Sequence, residues 1–387
     1  MSTYFKGNRI RLYPTAEQEQ KLWQHIGCCR FVWNYMLNMQ KERHEKGEGF
    51  MSAYDMIKTL PSLKHGEDYA WLCDVSNTSL QKACTSLAKA YKDFFNKSKG
   101  YPKYKSRKKS KPKYQVREEH LRFDGKTAHI EKVGKVRYKT DLDIPLGKSA
   151  KFASASISYD DHKWFLSFAY ECESQAFELT DKDMGIDLGV RELAVVSFGD
   201  DELRYANINR SMQMKKLDEK IRHTQRSISR KYEANKAGNK YVKTENIARE
   251  EEKLRKLWHR KRGIRMNYLH QTTHELVSML PRRIVMEDLE VQKMLQTSYL
   301  AKDIQDECFY EFRRQVEYKC KKMGIEFVKA DKAYPSSARC SGCGNVRDDL
   351  SLGNRTYVCP VCGLKIDRDL NAAINLKEYR ENIVNIK

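Results

Sequence analysis

Three acidic residues far apart in the chain stand at positions where an unpaired carboxylate is unusual. Asp187 lies in an apolar strand pattern between two glycines, and Glu287 ends a second apolar run. Asp369 opens the last helical pattern, and Asp367 is a close competitor for the same role. Each acid alone has an ordinary explanation as a turn residue, a strand end or a helix N-cap. The three together are more informative than any one of them.

Three carboxylates held at one edge of a sheet would repel one another unless cations neutralised them. Two Mg²⁺ ions about 4 Å apart would make such a cluster favourable, because one ion activates a water and the other stabilises the leaving oxygen of a phosphodiester. Mg²⁺ prefers hard oxygen ligands, which suits Asp and Glu. The sequence carries no competing Ser-His-Asp or Cys-His constellation and no phosphate loop. Asp187, Glu287 and Asp369 are therefore the predicted catalytic, magnesium-binding residues.

Two matched cysteine pairs, Cys340/Cys343 and Cys359/Cys362, are each followed by a glycine, and fifteen residues separate them. Such pairs can place four thiolates tetrahedrally around Zn²⁺. Four sulfur ligands leave no open position for a substrate, so the predicted zinc is structural. The alternatives are two redox-active pairs or coincidence. The other seven cysteines are interpreted as small core residues: Cys28, Cys29, Cys73, Cys84, Cys172, Cys308 and Cys320.

The charge of the chain points to a polyanionic partner. Lys and Arg number 73 against 52 Asp and Glu, a formal net charge of +21, which favours nucleic acid. Eleven Lys or Arg and one acid lie in 89–113, interleaved with aromatic rings that could stack on bases. The alternative is a solvated basic loop whose rings anchor it to the core. The predicted nucleic-acid contacts are Lys97, Lys99, Tyr101, Lys103, Tyr104, Lys105, Arg107 and Lys108.

Length and composition bound the class of protein. A chain of 387 residues corresponds to two or three domains. No stretch approaches the roughly 18 apolar residues of a membrane span, and the first six residues lack the apolar run of a signal peptide. The cysteines are then expected in a reducing compartment, and we expect a cytoplasmic protein.

The elements that would position the acids follow from hydrophobic periodicity. Residues 4–13 predict an opening strand, 15–98 a mostly helical region, and 121–178 short antiparallel strands. From residue 184 the pattern gives three strands, two helical stretches, the strand 283–289, a helix over 303–322, the strand 325–328 and a helix over 367–383. This order is typical of a ribonuclease-H-like mixed sheet, which would bring the first strand, the fourth strand and the last helix start to one edge.

Motifs along nearly the whole chain resemble the TnpB family, the transposon-encoded, RNA-guided DNA nucleases related to type V CRISPR effectors. The paired cysteine knuckles followed by the last motif are specific in this order. The motifs are Arg11-Leu12-Tyr13-Pro14-Thr15, Gly27-Cys28-Cys29-Arg30-Phe31-Val32-Trp33-Asn34, Lys99-Gly100-Tyr101-Pro102-Lys103-Tyr104-Lys105-Ser106, Gly185-Ile186-Asp187-Leu188-Gly189, Glu287-Asp288-Leu289, Tyr334-Pro335-Ser336-Ser337 and Asp367-Arg368-Asp369-Leu370-Asn371-Ala372-Ala373.

The resemblance implies an α+β multidomain fold: a β-barrel wedge domain, an inserted helical recognition lobe, and a RuvC-type nuclease domain with an inserted zinc ribbon. The implied boundaries are 1–14 and 115–180 for the wedge, 15–114 for the lobe, 181–335 and 364–387 for the nuclease domain, and 336–363 for the ribbon. The family's nuclease triad maps onto Asp187, Glu287 and Asp369. Asp369 is preferred to Asp367 because the family motif places the catalytic Asp directly before the Leu-Asn-Ala-Ala helix start.

The resemblance also implies what the protein does. The expected activity is Mg²⁺-dependent cleavage of double-stranded target DNA, directed by a guide RNA from the end of the element, beside a short flanking motif that the protein reads. The expected assembly is a ribonucleoprotein with one copy of the chain. The alternatives are a nuclease-inactive RNA-guided repressor and a guide-independent transposase or resolvase.

Overall fold

The computed structural model of the chain describes residues 3–142, 144–146, 151–173, 177–288, 308–347, 349–350 and 355–380. Its contacts divide it into an N-terminal unit, residues 5–172, and a C-terminal unit that holds most of the remaining chain. None of the helices in these ranges combines the length and apolar character that crossing a membrane requires.

An antiparallel sheet of seven strands curls through the N-terminal unit in the order β2-β6-β7-β1-β5-β4-β3. The strands are β1 (Thr3–Tyr13), β2 (Lys113–Gln115), β3 (Arg122–Phe123), β4 (Thr127–Ile130), β5 (Gly134–Lys139), β6 (Phe152–Asp160) and β7 (Lys163–Glu173). Every second residue of β7 from Trp164 to Tyr170 is buried, so one face of the sheet covers a core. Asp161 and His162 form the hairpin turn between β6 and β7, both with positive φ. The predicted opening strand, β1, lies between β7 and β5 in this sheet.

Three helices are inserted between β1 and β2: α1 (Ala16–Glu45), α2 (Ala53–His65) and α3 (Asn77–Phe95). A capping box opens α1, with Thr15 and Gln18 bonding reciprocally. α1 packs along α3, and its buried face includes Leu22, Val32 and Met36. The helical region predicted before residue 98 is thereby confirmed.

The C-terminal unit is built on a five-stranded mixed sheet. Its elements in chain order are β8 (Asp183–Leu188), β9 (Glu192–Phe198), β10 (Asp201–Ala206), α4 (Met212–Ala234), β11 (Lys236–Ala237), β12 (Lys240–Tyr241), α5 (Glu245–Ser278), β13 (Arg283–Glu287), α6 (Phe309–Met323), β14 (Glu326–Ala330), β15 (Thr356–Val358), β16 (Lys365–Asp367) and α7 (Arg368–Glu378). The sheet order is β10-β9-β8-β13-β14. β9 runs antiparallel to both its neighbours, whereas β13 is parallel to β8 and to β14. The predicted ribonuclease-H-like order is confirmed.

The two faces of this sheet are covered by different helices. Ile186 and Met286 pack on one face in a cluster that includes residues of α5 and α6. Val285 packs on the other face against Leu376 of α7. Since side chains alternate along a strand, residues two positions from Val285 or from Gly185 also face α7.

Some predicted boundaries and burials differ from the structure. The last helix ends at Glu378 rather than near 383, and 381–387 lie outside the described residues. The helix predicted over 303–322 begins at Phe309, while 303–307 lie outside the described range. Of the seven cysteines expected in the core, Cys73 is exposed. Its thiol therefore cannot be explained by packing.

Candidate active site

The pleat of two parallel strands brings Asp187 and Glu287 side by side. Gly185 is paired with Val285 in the parallel register of β8 and β13. Two residues further on, Asp187 and Glu287 follow on the same face, the face covered by α7. Both acids lie at the carboxyl ends of their strands and are half-buried. The sequence prediction that these two strand ends meet is confirmed by the register.

Gly185 allows α7 to lie directly on β8. A Cβ atom on Gly185 would lie 2.0 Å from the backbone oxygen of Ala373 and 2.3 Å from the backbone nitrogen of Lys377. Any side chain at this position would push the helix away from the strand. The glycine thus sets the depth at which α7 packs, and with it the distance between the helix start and the two strand acids.

The start of α7 carries the third acid. Asp367 is the N-cap, and its side chain accepts hydrogen bonds from the backbone N–H groups of Asp369 and Leu370 at 3.1 Å. Arg204 holds the same carboxylate at 3.3 Å. Asp369 has no capping role, and the guanidinium of Arg355 lies 3.9 Å from it. The two competitors therefore differ: Asp367 is engaged in building the helix start, and the charge of Asp369 raises the pKa of Asp187 more than the charge of Asp367 does.

All three acids have raised pKa values, for partly different reasons. Burial raises the pKa of Asp187 well above its usual range, and the charges of Glu287 and Asp369 raise it further. Burial also raises the pKa of Glu287, against a hydrogen bond from Ser336 that lowers it. The pKa of Asp369 is raised by burial and by the charge of Asp367. A buried carboxyl whose pKa is raised by two neighbouring carboxylates, as at Asp187, is typical of functional sites and of sites that hold cations.

The acids do not converge on a single point. Among the described residues, only the four knuckle cysteines form a group of His, Cys, Asp or Glu whose ligand atoms all lie within 4.8 Å of one another. The carboxylates are spread more widely.

The four cysteines are gathered as a zinc site requires. The Sγ atoms of Cys340 and Cys362 are 3.6 Å apart, and those of Cys343 and Cys359 are 3.5 Å apart. A tetrahedron with Zn–S bonds of about 2.3 Å has edges of about 3.8 Å. Backbone N–H groups of Cys362 and Val361 help to lower the pKa of Cys359 to about 6, which favours the thiolate that a metal binds.

The glycine after each cysteine pair allows the tight turn of the knuckle. Gly344 and Gly363 have φ of 79° and 73°, a left-handed backbone that side chains disfavour. Their N–H groups donate to the carbonyls of Cys340 and Cys359 respectively, so the two knuckles share one hydrogen-bond pattern. β15 leads into the second cysteine pair and β16 leads from it to α7, and the two strands pair antiparallel.

The predicted nucleic-acid loop is anchored to α1 by its own backbone and rings. Trp33 donates to the carbonyl of Lys103 at 3.1 Å, and Asn34 makes two bonds with the backbone of Lys105. The hydroxyl of Tyr101 lies 3.0 Å from that of Tyr91, and Tyr104 donates to Asn38 at 3.1 Å. The loop is therefore anchored to the core, as the alternative interpretation expected. Five of its basic side chains are nevertheless exposed: Lys97, Lys99, Lys103, Arg107 and Lys108.

A cavity of about 600 Å³ in the N-terminal unit lies beside this loop. Of the described residues that line it, six are basic and none is acidic: Arg30, Lys82, Lys105, Arg107, Lys111 and Lys113. The Nζ of Lys105 lies 3.5 Å from the centre of the Trp33 ring, and burial lowers its pKa. The positive lining favours an anionic ligand.

Several residues around the acids were missed by the sequence reasoning. The hydroxyl of Ser336 donates to Glu287, and Arg368 lies near enough to all three acids to lower their pKa values. Both residues belong to motifs quoted for the family resemblance, which was the only signal for them. Glu287 and Asp187 lie far from both residues in the chain, so no local pattern could have assigned these contacts.

The sheet order and the acids at its edge define a ribonuclease-H-like fold with an attached four-cysteine ribbon. Family models match three parts of the chain: a "Helix-turn-helix domain" of the OrfB/IS605 type over 1–49, the OrfB/IS605 "Probable transposase" over 167–298, and the "Cas12f1-like, TNB domain" over 309–376. In this structure the first match covers β1 and α1, a strand followed by one long helix.

Similar proteins cover nearly the whole chain. A protein of Streptomyces pristinaespiralis, provisionally named an RNA-guided DNA endonuclease, is 31% identical over 95% of this chain and 87% of its own length. InsQ of Escherichia coli, with the same provisional name, is 28% identical over 95% and 90%. The chain belongs to the TnpB family. A cryo-EM structure of a Cas12f1–sgRNA–target DNA complex matches 97% of this chain and 99% of its own with a TM-score of 0.61, and at 14% identity it shows a shared fold.

Proposed function

We propose that this chain is an RNA-guided DNA endonuclease whose guide RNA pairs with target DNA beside a short motif read by the protein. The observation that supports the proposal is the placement of Asp187 and Glu287 at neighbouring strand ends of a ribonuclease-H-like sheet, with Asp369 near enough for its charge to raise the pKa of Asp187. The relatives with this provisional name align with 95% of the chain, which supports extending the proposal to both units. The working form is one copy of the chain in a cytoplasmic ribonucleoprotein.

In this proposal the three acids hold two Mg²⁺ ions. Carboxylate oxygens are the ligands that Mg²⁺ prefers, and divalent cations would relieve the repulsion by which Glu287 and Asp369 raise the pKa of Asp187. When bound, the ions would supply a nucleophile from water and neutralise charge on the leaving oxygen of the phosphodiester.

The chain's own residues prepare the site. Asp367 satisfies the first N–H groups of α7, so the carboxylate of Asp369 stays available as a ligand. Ser336 donates to Glu287 and limits its rotation. Arg368 places a positive charge beside the acids, and a guanidinium in that position favours a phosphate group of the substrate. Together these residues bind, orient and balance charge before any substrate arrives.

The N-terminal unit is proposed to hold nucleic acid by its backbone. In RNA-guided enzymes base pairing supplies most of the sequence specificity, and the protein recognises the shape and charge of the duplex. The exposed Lys97, Lys99, Lys103, Arg107 and Lys108, with the ring of Tyr104, support this role. The basic cavity beside them extends the same positive surface.

The zinc proposed for the knuckles is structural. Four sulfurs close the coordination shell, so no position is open for a substrate. Tyr357, which is fully buried beside Cys340 and Cys359, forms the small core of the ribbon. So few apolar side chains do not stabilise a fold alone, which is the usual reason for a structural metal.

Ribonuclease treatment of the purified ribonucleoprotein tests the proposal. Cleavage of target DNA should disappear, and a guide-independent transposase or resolvase would keep cutting. Sequencing the RNA that co-purifies should return a transcript from the end of the element. A nuclease-inactive repressor would bind the target and leave it intact, with and without Mg²⁺. The presence of all three acids argues against that alternative.

A further inference from the structure

A buried hydrogen bond joins the zinc ribbon's leading segment to the acid cluster. The segment 331–339 connects β14 to the first knuckle, and Ser336 within it is only 3% exposed. Its hydroxyl donates to Glu287, and its carbonyl accepts from the side chain of Asn375 at 2.8 Å. Ser336 therefore contacts both β13 and α7, the elements that carry two of the three acids.

Two asparagines one turn apart on α7 fix the rest of this segment. Asn371 donates to the carbonyl of Arg339 at 2.7 Å and accepts from the N–H of Ser341 at 2.9 Å. Asn375 donates to the same carbonyl of Arg339 at 2.6 Å. The two amides thus hold the backbone on both sides of Cys340, the first zinc ligand.

The need to bury surface between α7 and the segment before the first knuckle does not explain why these two residues are asparagines. Asn disfavours a helix interior, and Asn371 and Asn375 are 0% and 2% exposed. Apolar side chains would bury the same area without needing partners. Buried amides are tolerated only where their hydrogen bonds are made, and those bonds require one orientation of the opposing backbone. They therefore specify where the ribbon's first knuckle lies on α7.

We propose that Ser336, Asn371 and Asn375 are positioning residues through which the zinc-ordered ribbon sets the geometry of Glu287 as a cation ligand. The inference rests on the proposed function of the acid cluster. With the knuckle in place, Ser336 holds one carboxylate oxygen of Glu287 and leaves the other available. Without it, Glu287 is free to rotate, and the cluster binds divalent cations more weakly while the five-stranded sheet stays folded.

The test is a titration of the full-length, zinc-loaded chain with Mn²⁺ in the absence of RNA. The electron paramagnetic resonance signal of free Mn²⁺ measures how much of the ion is bound. Asp187→Asn defines the signal that belongs to the acid cluster. Ser336→Ala should weaken that binding by about 10-fold or more, the scale found when a hydrogen bond to a metal ligand is removed. Ser341→Ala is the matched control, because it keeps the backbone N–H that Asn371 uses, and its affinity should equal that of the unaltered chain.

Zinc content and the urea unfolding midpoint separate positioning from folding. Ser336→Ala should retain both, and Cys340→Ser should lose zinc, weaken Mn²⁺ binding and keep the sheet's circular dichroism. Wild-type Mn²⁺ affinity in Ser336→Ala, with the cluster signal still absent in Asp187→Asn, would overturn this inference and leave the proposed function standing. If Asp187→Asn itself binds Mn²⁺ like the unaltered chain, the cation site of the proposed function is wrong instead.

Discussion

Asp367 and Asp369 differ in what their carboxylates already bind, and the roles proposed for them at the residue scale rest on this difference. Spacing in the sequence could not separate two acids on either side of one arginine. The structure places Asp367 in the N-cap, where it accepts two backbone hydrogen bonds and meets Arg204. A helix N-cap needs an acceptor but not a negative charge, whereas an Mg²⁺ ligand is best ionised.

Exchanging each acid for its amide therefore gives opposite results. Asp369→Asn should reduce DNA cleavage by at least about 10³-fold, on the scale of losing a catalytic group, because the cluster loses a charged ligand. Asp367→Asn keeps a good capping acceptor and should retain cleavage within about tenfold. Initial rates on a guide-matched duplex measure both, with guide-RNA binding as the control for folding. Equal loss in the two variants would contradict the assignment of Asp369.

The raised pKa of Asp187 predicts how pH affects stability. Burial and the charges of Glu287 and Asp369 keep the carboxyl of Asp187 protonated in the folded chain. In the unfolded chain an Asp carboxyl releases this proton near pH 3.9. The folded, metal-free chain is thus favoured at low pH, and this contribution is lost as pH rises through the folded pKa. Bound Mg²⁺ offsets the loss, so the rise in Tm caused by Mg²⁺ should be larger at pH 8 than at pH 5.5.

Asp187→Asn isolates this effect in thermal unfolding experiments. Without Mg²⁺ at pH 8 the variant should be more stable than the unaltered chain by on the order of 1 kcal/mol, since one pKa unit corresponds to about 1.4 kcal/mol. Its response to Mg²⁺ should be much smaller. A variant that is less stable without metal, and equally stabilised by Mg²⁺, would show that Asp187 has a folding role instead.

At the scale of elements, the sheet order and the position of two acids at strand ends were predictable from the sequence. The depth at which α7 packs on the sheet was not. Apolar runs reveal strands, and their order restricts a mixed sheet to few arrangements. The contact of α7 with Gly185 joins residues 188 or more positions apart, and no local pattern records it. The same holds for Ser336 and Glu287. Ring positions in the basic loop were also ambiguous, because Tyr101 and Tyr104 serve the fold with their hydroxyls.

Gly185→Ala tests whether close packing of α7 on β8 positions the site. The new Cβ would meet backbone atoms at 2.0 and 2.3 Å, and backbone cannot rotate away as a side chain can. Overpacking typically costs about 1–3 kcal/mol, and a clash with backbone should lie at or above the top of that range; urea unfolding would measure this loss, and cleavage should fall with it. Gly263→Ala is the control: it lies inside α5 with nothing within 4 Å of the new atom, and it should stabilise by about 0.5–1 kcal/mol.

For the whole molecule, the excess of 21 positive charges affects how binding of a nucleic-acid partner depends on salt. Each phosphate neutralised by Lys or Arg releases a counterion, so affinity falls as salt concentration rises. The sequence predicted this class of partner from composition alone. It could not show that six of the basic residues surround one cavity, because they come from α1, α3 and the loop 105–113.

Binding of guide RNA should therefore weaken by about 10³-fold or more between 50 and 200 mM salt, as expected for six or more phosphate contacts. Arg107→Ala combined with Lys111→Ala should lower the slope of log affinity against log salt by about one for each phosphate that the variant no longer neutralises. Lys21→Ala serves as the control, since Lys21 is already paired with Glu17 at 2.6 Å, and its slope should match that of the unaltered chain. Filter binding across a salt series measures all three slopes. If the double variant keeps the full slope, the phosphates bind to another surface, and the basic cavity is not part of the RNA-binding site.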